Sequence, residues 1–98
     1  MKLNTRQKKQ LRGLGHQLSP VVYIADDGLK ETVIAATDEA LNAHELIKVK
    51  MRGGTRDENQ TLLEQLCAAT DCALVSKTGF TVLLYKRNHK KPKFQLVK

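Results

Sequence analysis

The sequence has few of the residues that stabilise small domains through disulfide bonds or bound metal ions. It contains two cysteines, two prolines and no tryptophan, and its three histidines lie far apart. Two thiols cannot build a disulfide framework, and Cys67 and Cys72 together with the scattered histidines do not have the spacing of a zinc site. We therefore expect no metal and no cofactor. An ordinary apolar core is feasible in a chain of 98 residues.

Long hydrophobic runs and catalytic motifs are also missing. No stretch approaches the roughly 20 apolar residues of a membrane span, and no apolar signal-peptide core follows Met1. The sequence contains no nucleophile elbow, P-loop or metalloprotease helix motif. We expect a cytoplasmic, monomeric protein that is not an enzyme and has neither a membrane partner nor a small-molecule substrate.

Negative charge is scarce at both ends of the chain. Lysine and arginine number 17 against 10 acidic residues, for a net charge of +7. Residues 1–20 carry five bases and no acid, residues 72–98 carry seven bases and no acid, and residues 21–45 carry six acids against one base. This segregation predicts one basic and one acidic surface. Basic domains commonly bind polyanions such as nucleic acids.

The first predicted helix covers residues 4–16. Asn4, followed three residues later by Gln7, has the pattern of a capping box at its start. The apolar side chains recur at helical spacing and are expected to face the core: Leu3, Leu11, Leu14 and Leu18. The basic side chains fall on the opposite arc: Lys2, Arg6, Lys8, Lys9 and Arg12.

Two further helices are predicted at about residues 29–44 and 56–70. Asp27 is a plausible N-cap of the second helix, because a carboxylate there accepts backbone N–H groups and suits the helix dipole. Thr55 and Glu58 have the pattern of a capping box for the third helix.

Four strands are predicted between and after these helices. Residues 21–24 form a short, fully apolar run typical of a buried strand, so Tyr23, like Tyr85 later in the chain, is expected in the core and no base-stacking platform is expected. Residues 46–52 alternate, with a basic outer row of Lys48, Lys50 and Arg52.

Residues 72–77 and 80–86 form a predicted hairpin. The element order implies an α/β two-layer sandwich with a mixed four-stranded sheet. We place the domain at residues 1–87 and a flexible basic tail at residues 88–98.

Several segments together carry a resemblance to a known family. They are Leu11-Arg12-Gly13-Leu14-Gly15-His16, Pro20-Val21-Val22, Gly28-Leu29, residues 40–50 and residues 78–86. The chain resembles the CRM domain (chloroplast RNA splicing and ribosome maturation) in its bacterial single-domain form. The resemblance implies a fold like the C-terminal domain of translation initiation factor 3, with a KH-like core. It also implies RNA binding and association with precursors of the large ribosomal subunit.

One loop departs from the family pattern. The family usually carries a G-x-x-G loop after the first strand, and loops of this kind clamp the nucleic-acid backbone in KH-type domains. The matching positions here are Ala25, Asp26, Asp27 and Gly28, and the two aspartates would repel phosphate. Whether this degenerate loop contacts RNA stays open, so we expect the contacts to move to basic residues elsewhere. The candidate RNA-binding residues are Lys2, Arg6, Lys8, Lys9, Arg12, Gly28, Lys30, Lys48, Lys50 and Arg52.

The leading hypothesis is an RNA-binding protein that associates with ribosomal RNA or large-subunit precursors during ribosome assembly. The alternative is a ribosome-associated adaptor that binds proteins through its acidic surface and makes no direct contact with RNA.

Overall fold

The structure is a computed structural model that describes residues 2–24, 29–51, 55–88, 90, 92 and 96–97. In this part of the chain, helices and strands follow one another as α1 (Thr5–Gly15), β1 (Pro20–Ile24), α2 (Glu31–His44), β2 (Leu46–Met51), α3 (Arg56–Thr70), β3 (Ala73–Thr78) and β4 (Thr81–Tyr85). This is the predicted order, and no bound differs from the predicted one by more than two residues.

Both predicted capping boxes are confirmed. The Asn4 side chain accepts a hydrogen bond from the backbone N–H of Gln7 at 2.8 Å, and the Gln7 side chain accepts one from the Asn4 N–H at 3.1 Å. Thr55 and Glu58 make the same reciprocal pair at 3.2 and 3.3 Å. Each box satisfies two backbone donors that a helix start otherwise leaves without partners, so the starts of α1 and α3 are determined locally.

The predicted cap of α2 is wrong. The N-cap position is Lys30, which is extended (φ −100°, ψ 160°) and makes no side-chain cap hydrogen bond. Its carbonyl accepts the first helical bond, from the N–H of Ile34 at 3.0 Å. Since the helix begins only at Glu31, Asp27 is too far upstream to serve as its N-cap.

The four strands form one mixed sheet, as predicted, and the structure gives their order across it as β1-β2-β4-β3. β1 and β2 are parallel and are connected through α2, whereas β4 is antiparallel to both β2 and β3. The β3–β4 connection contains Gly79 at φ +60°, a left-handed conformation that glycine adopts without steric cost. The strands at the two edges of the sheet are therefore β1 and β3.

Helices pack on both faces of this sheet. Val82 and Leu84 of β4 belong to the core beneath α2 and α3, whereas the alternate residues Leu83 and Tyr85 belong to a second core that includes Leu11 of α1. Successive side chains of a strand point to opposite faces. The predicted two-layer sandwich is the sheet with α2 and α3, and α1 adds partial cover on the opposite face against β2 and β3.

The apolar side of α1 is rotated from the predicted one. Leu3 and Leu11 are buried, but Leu14 and Leu18 are 42% and 37% exposed, so the prediction that they face the core is wrong. Gly15 is buried instead, and a Cβ atom there would lie 2.7 Å from Cδ2 of Leu83. The helix lies on the sheet along Leu11 and Gly15, and Leu14 is turned away because each residue advances about 100°.

The first strand is half exposed, contrary to the prediction of a fully buried strand. Val22 and Ile24 are buried under α2, but Val21 is 53% and Tyr23 is 63% exposed. The reason is tertiary: α1 packs on β2 and β3 and leaves this face of the edge strand β1 open. The burial of Tyr85, in contrast, is confirmed at 0% exposure.

The last described residues return to α1. Leu96 packs against the second core, the Val97 N–H donates to Oε1 of Gln10 at 2.9 Å, and Nε2 of Gln7 donates to the Val97 carbonyl at 2.9 Å. Residues 89, 91, 93–95 and 98 lie outside the described part of the chain. The division into a domain at residues 1–87 and a flexible tail at residues 88–98 stays a prediction.

Candidate nucleic-acid interface

A row of four side chains crosses the sheet on the face that α1 covers only in part. Tyr23 pairs with Lys50, Lys50 with Thr81, and Thr81 with Thr78, one residue from each strand. Residues directly opposite each other on neighbouring strands share a face of the sheet. We call Tyr23, Lys50, Thr81 and Thr78 the open row. Three of them are exposed and Thr81 is partly buried.

A basic cleft lies between this row and the end of α1. It has a volume of about 410 Å³, and its polar lining is Arg12, His16, Lys48, Ser76, Thr78 and Thr81. Arg12 and His16 lie one helical turn apart and thus on one side of α1. Because Gly15 has no side chain, α1 lies close to Leu83, and this brings the side of α1 that carries Arg12 and His16 over β2 and β4.

The groups in the cleft are hydrogen-bond donors suited to phosphate. The Arg12 guanidinium and the Lys48 ammonium group can donate charge-assisted hydrogen bonds to a phosphate, and the hydroxyls of Ser76 and Thr81 can donate neutral ones. Lys48 also lines a neighbouring, mostly apolar cleft of about 400 Å³ that includes Leu18 and Val21. The partly buried Lys48 therefore lies between the basic cleft and a second, more apolar one.

Acidic side chains lie elsewhere among the described residues. None of those that line the basic cleft is acidic. The described acids outside the core belong to the opposite helical layer or directly follow it: Glu31, Asp38, Glu39, Asp57, Glu58, Glu64 and Asp71. Glu45 is fully buried and accepts a hydrogen bond from the Tyr85 hydroxyl at 3.2 Å. The described surface acids thus lie on one side of the sheet, whereas bases occur on both sides, since Lys30 and Lys86 lie with the acidic layer.

The candidate RNA-binding residues do not form one patch. Arg12 and Lys48 meet in the basic cleft and Lys50 lies in the open row beside it. Lys2 and Lys8 line a separate depression of about 340 Å³ at the β3 edge. The remaining candidates are distributed as follows: Arg6 and Lys9 exposed on α1, Lys30 at the start of α2, and Ala25, Asp26, Asp27, Gly28 and Arg52 outside the described residues.

Sequence reasoning missed five members of this surface, namely Ser76, Thr78, Thr81, His16 and Tyr23. His16 follows Arg12 by four residues, and this helical spacing was the available signal that both face the same cleft. Tyr23 gave no signal, because it stands in a run of four apolar residues whose two faces cannot be distinguished by pattern.

Two free thiols lie in the depression at the β3 edge, next to Lys2 and Lys8. The hydrogen bond from the Cys67 thiol lowers the pKa of Cys72 to about 7. The same hydrogen bond, with burial second, raises the pKa of Cys67. Burial raises the pKa of Tyr85 as well, with the negative charge of Glu45 as the next cause.

Among the residues that the structure describes, no cluster of histidine, cysteine, aspartate and glutamate is arranged to hold a metal ion. The helices of the described ranges are all too short or too polar to cross a bilayer.

Comparison with known proteins agrees with this architecture. A family model described as the CRS1 / YhbY (CRM) domain matches residues 3–86. A Pseudomonas aeruginosa protein named "Probable RNA-binding protein" is 46% identical over 90 residues, which cover 92% of this chain and 86% of that protein. A Haemophilus influenzae protein named "RNA-binding protein" is 43% identical over 84 residues, covering 86% of this chain and 85% of its own length.

A solved structure has the same fold. The solution structure of a hypothetical Staphylococcus aureus protein, described as a candidate RNA-binding protein, is 31% identical and superposes with a TM-score of 0.84. The alignment covers 98% of this chain and 100% of that one. The family match spans nearly the whole sequence, and so this chain belongs to the CRS1/YhbY (CRM) domain family.

Proposed function

We propose that this protein is a cytoplasmic, monomeric RNA-binding module without catalytic activity, and that its target is ribosomal RNA in precursors of the large subunit. The observation that carries the proposal is the meeting of Arg12, Lys48 and Lys50 on one side of the sheet, with the described surface acids on or beside the other layer. Membership of the CRM family and the names of the two bacterial relatives support RNA as the polyanion.

The affinity is expected to come mainly from phosphate contacts. Arg12 and Lys48 bind phosphate oxygens in the basic cleft, and Lys50 extends the contact along the open row. The exposed Arg6 and Lys9 on the outer side of α1 lengthen the positive surface. Each neutralised phosphate releases counterions, which adds about 0.7–0.9 to the negative slope of log affinity against log salt concentration.

The first test is RNA binding by fluorescence anisotropy over a series of salt concentrations. The double variant Lys48→Gln/Lys50→Gln should bind more weakly and should reduce the slope by roughly 1.4–1.8, because two phosphate contacts are removed. Lys77→Gln is the matched control. Lys77 is exposed on β3 and pairs with Val82, which faces α2 and α3, so Lys77 lies on the face of the sheet away from the basic cleft. An affinity that does not depend on salt, or equal slopes for both variants, would contradict the proposal.

The ribosomal target needs a separate measurement. We expect the protein in a cell lysate to sediment through sucrose with large-subunit precursors at low salt and to leave them at high salt, since the contacts are electrostatic. Migration at the top of the gradient at both salt concentrations would remove the ribosomal role and leave RNA binding in place.

A protein adaptor is the second candidate function, favoured by the acidic side of α2. Glu31 and Glu39 are exposed there, whereas Asp38 is bound by Lys86 at 3.0 Å. A basic ribosomal protein would be the complementary partner. Nuclease treatment separates the candidates, because an adaptor keeps its partner when the RNA is digested and an RNA-binding module does not.

A further inference from the structure

An aromatic ring is exposed in the open row beside positive charge. Tyr23 is 63% exposed, although a tyrosine in an apolar strand ordinarily contributes to stability by burial. Its partner across the β1–β2 pair is Lys50, and Val21 on the same face of β1 is 53% exposed. The core requires only Val22 and Ile24 of this strand, since these two side chains are the ones that pack beneath α2 and α3.

We propose that Tyr23 is a stacking platform for an unpaired base of the bound RNA, with the adjoining phosphates held by Lys50 and Lys48. The inference rests on the proposed RNA-binding function and assigns the class of nucleotide that the open row accepts. Aromatic rings stack on any base, so the subsite selects single-stranded RNA over duplex and has little sequence preference.

The geometry of the row suits an extended strand. Neighbouring strands lie about 4.8 Å apart, so the four positions from Tyr23 to Thr78 cover roughly 14 Å across the sheet. Lys50 directly follows the ring, and Thr81 places a hydroxyl one strand further. The row therefore offers a ring for a base, then a cation for the phosphate that is joined to that base through its ribose, and then a hydroxyl that can donate to a backbone oxygen.

Charge favours RNA over a protein as the occupant of this surface. An apolar protein partner would fit Val21 and Leu18, but Lys48, Lys50 and Arg12 border the surface. None of the described residues that line the two adjoining clefts is acidic. A base with its attached phosphate satisfies both the ring and the cations, whereas an apolar surface would leave the cations without counter-charge.

The experiment uses the full chain and two probes, a fluorescently labelled single-stranded RNA of mixed sequence and a blunt RNA duplex. We expect Tyr23→Ala to weaken binding of the single strand by about 5- to 150-fold and Tyr23→Phe to leave it nearly unchanged, since stacking needs the ring and not the hydroxyl. Duplex affinity should change less than about twofold, and the salt slope should stay the same because no charge is removed.

Val21→Ala is the matched control on the same exposed face, and thermal melts establish that each variant is folded. A 2-aminopurine placed in the single-stranded probe should be quenched by the wild type and not by Tyr23→Ala. If the wild type binds neither probe, the proposed function itself fails. If it binds with a normal salt slope but Tyr23→Ala binds the single strand equally well, only the stacking subsite is refuted. Loss of a protein partner in Tyr23→Ala, with RNA binding unaltered, would assign this surface to a protein and overturn the inference.

Discussion

The contact between α1 and the sheet gives a sharp prediction at two glycines. Gly13 and Gly15 both lie in α1, and replacing glycine by alanine inside a helix ordinarily stabilises it by up to about 1 kcal/mol. An added Cβ at Gly13 would meet nothing within 4 Å, whereas one at Gly15 would lie 2.7 and 2.9 Å from the two δ carbons of Leu83. The same substitution should therefore have opposite effects two residues apart.

The magnitudes follow from the surroundings. Gly13→Ala should raise the free energy of unfolding by roughly 0.5–1 kcal/mol through backbone entropy alone. Overpacking typically costs about 1–3 kcal/mol, and Leu83 has some room because it borders the basic cleft. We expect a cost in the lower part of that range. It is offset in part by the higher helix propensity of alanine, whose effect is smaller at the last residue of α1. Gly15→Ala should then lower the free energy of unfolding by about 1 kcal/mol.

Urea denaturation and thermal melts measure both effects, and about 1 kcal/mol corresponds to a change in Tm of roughly 4–8 °C in a domain of this size. Leu83→Val removes the δ carbons, so the double variant Gly15→Ala/Leu83→Val should be more stable than the sum of its single changes by about 0.5–1 kcal/mol. A Gly15→Ala protein as stable as Gly13→Ala, or strictly additive changes in the double variant, would refute the packing argument.

Three smaller predictions concern the core and one helix start. Tyr85→Phe should lower the free energy of unfolding by about 1–3 kcal/mol in a urea titration, because the buried Glu45 loses its hydroxyl donor. Because the pKa of Tyr85 is raised in the folded state, its contribution to the free energy of unfolding is present below the ordinary tyrosine pKa. This contribution is lost as the pH rises beyond that pKa. Alkylation of Cys72 should reach half its maximal rate near pH 7, matching its pKa of about 7. Cys67→Ala should move this midpoint to higher pH, because it removes the thiol that donates to Cys72. An unmoved midpoint would contradict that cause. Thr55→Ala should cost about 1 kcal/mol, measured by thermal melting, and no loss would mean that the capping box does not hold the helix start.

Local features of this fold were predictable because their causes are local. A capping box needs only residues three positions apart, and both boxes form at the predicted residues. The alternation in β2 correctly placed Ile47 and Val49 in the core and Lys50 in solvent. The segregation of charge was likewise visible in the sequence, because long blocks of one sign tend to stay together when each block forms one or two elements.

The errors about Leu14, Leu18 and Tyr23 have a common cause, which is the position of α1. Four leucines at helical spacing define an apolar arc, but Gly15 allows a closer approach than any of them, so the helix lies on Leu11 and Gly15 and leaves Leu14 outside. No single helix reveals which side it will turn to a sheet. In the same way, the apolar run of β1 does not reveal that one of its faces stays uncovered, and Tyr23 was therefore placed in the core.

The candidate site, like the fold, was predictable from the sequence only in part. The sequence by itself determined which residues are basic, that Lys48 and Lys50 share one face of a strand, and that Arg12 lies on a helix. Only the tertiary structure decided that Arg12 and His16 meet Lys48 in one cleft, that Lys2 and Lys8 turn to another, and that Tyr23 is exposed. The physical reason is that propensity, capping and alternation act over a few residues, whereas the placement of a helix on a sheet depends on close packing between residues far apart in the chain.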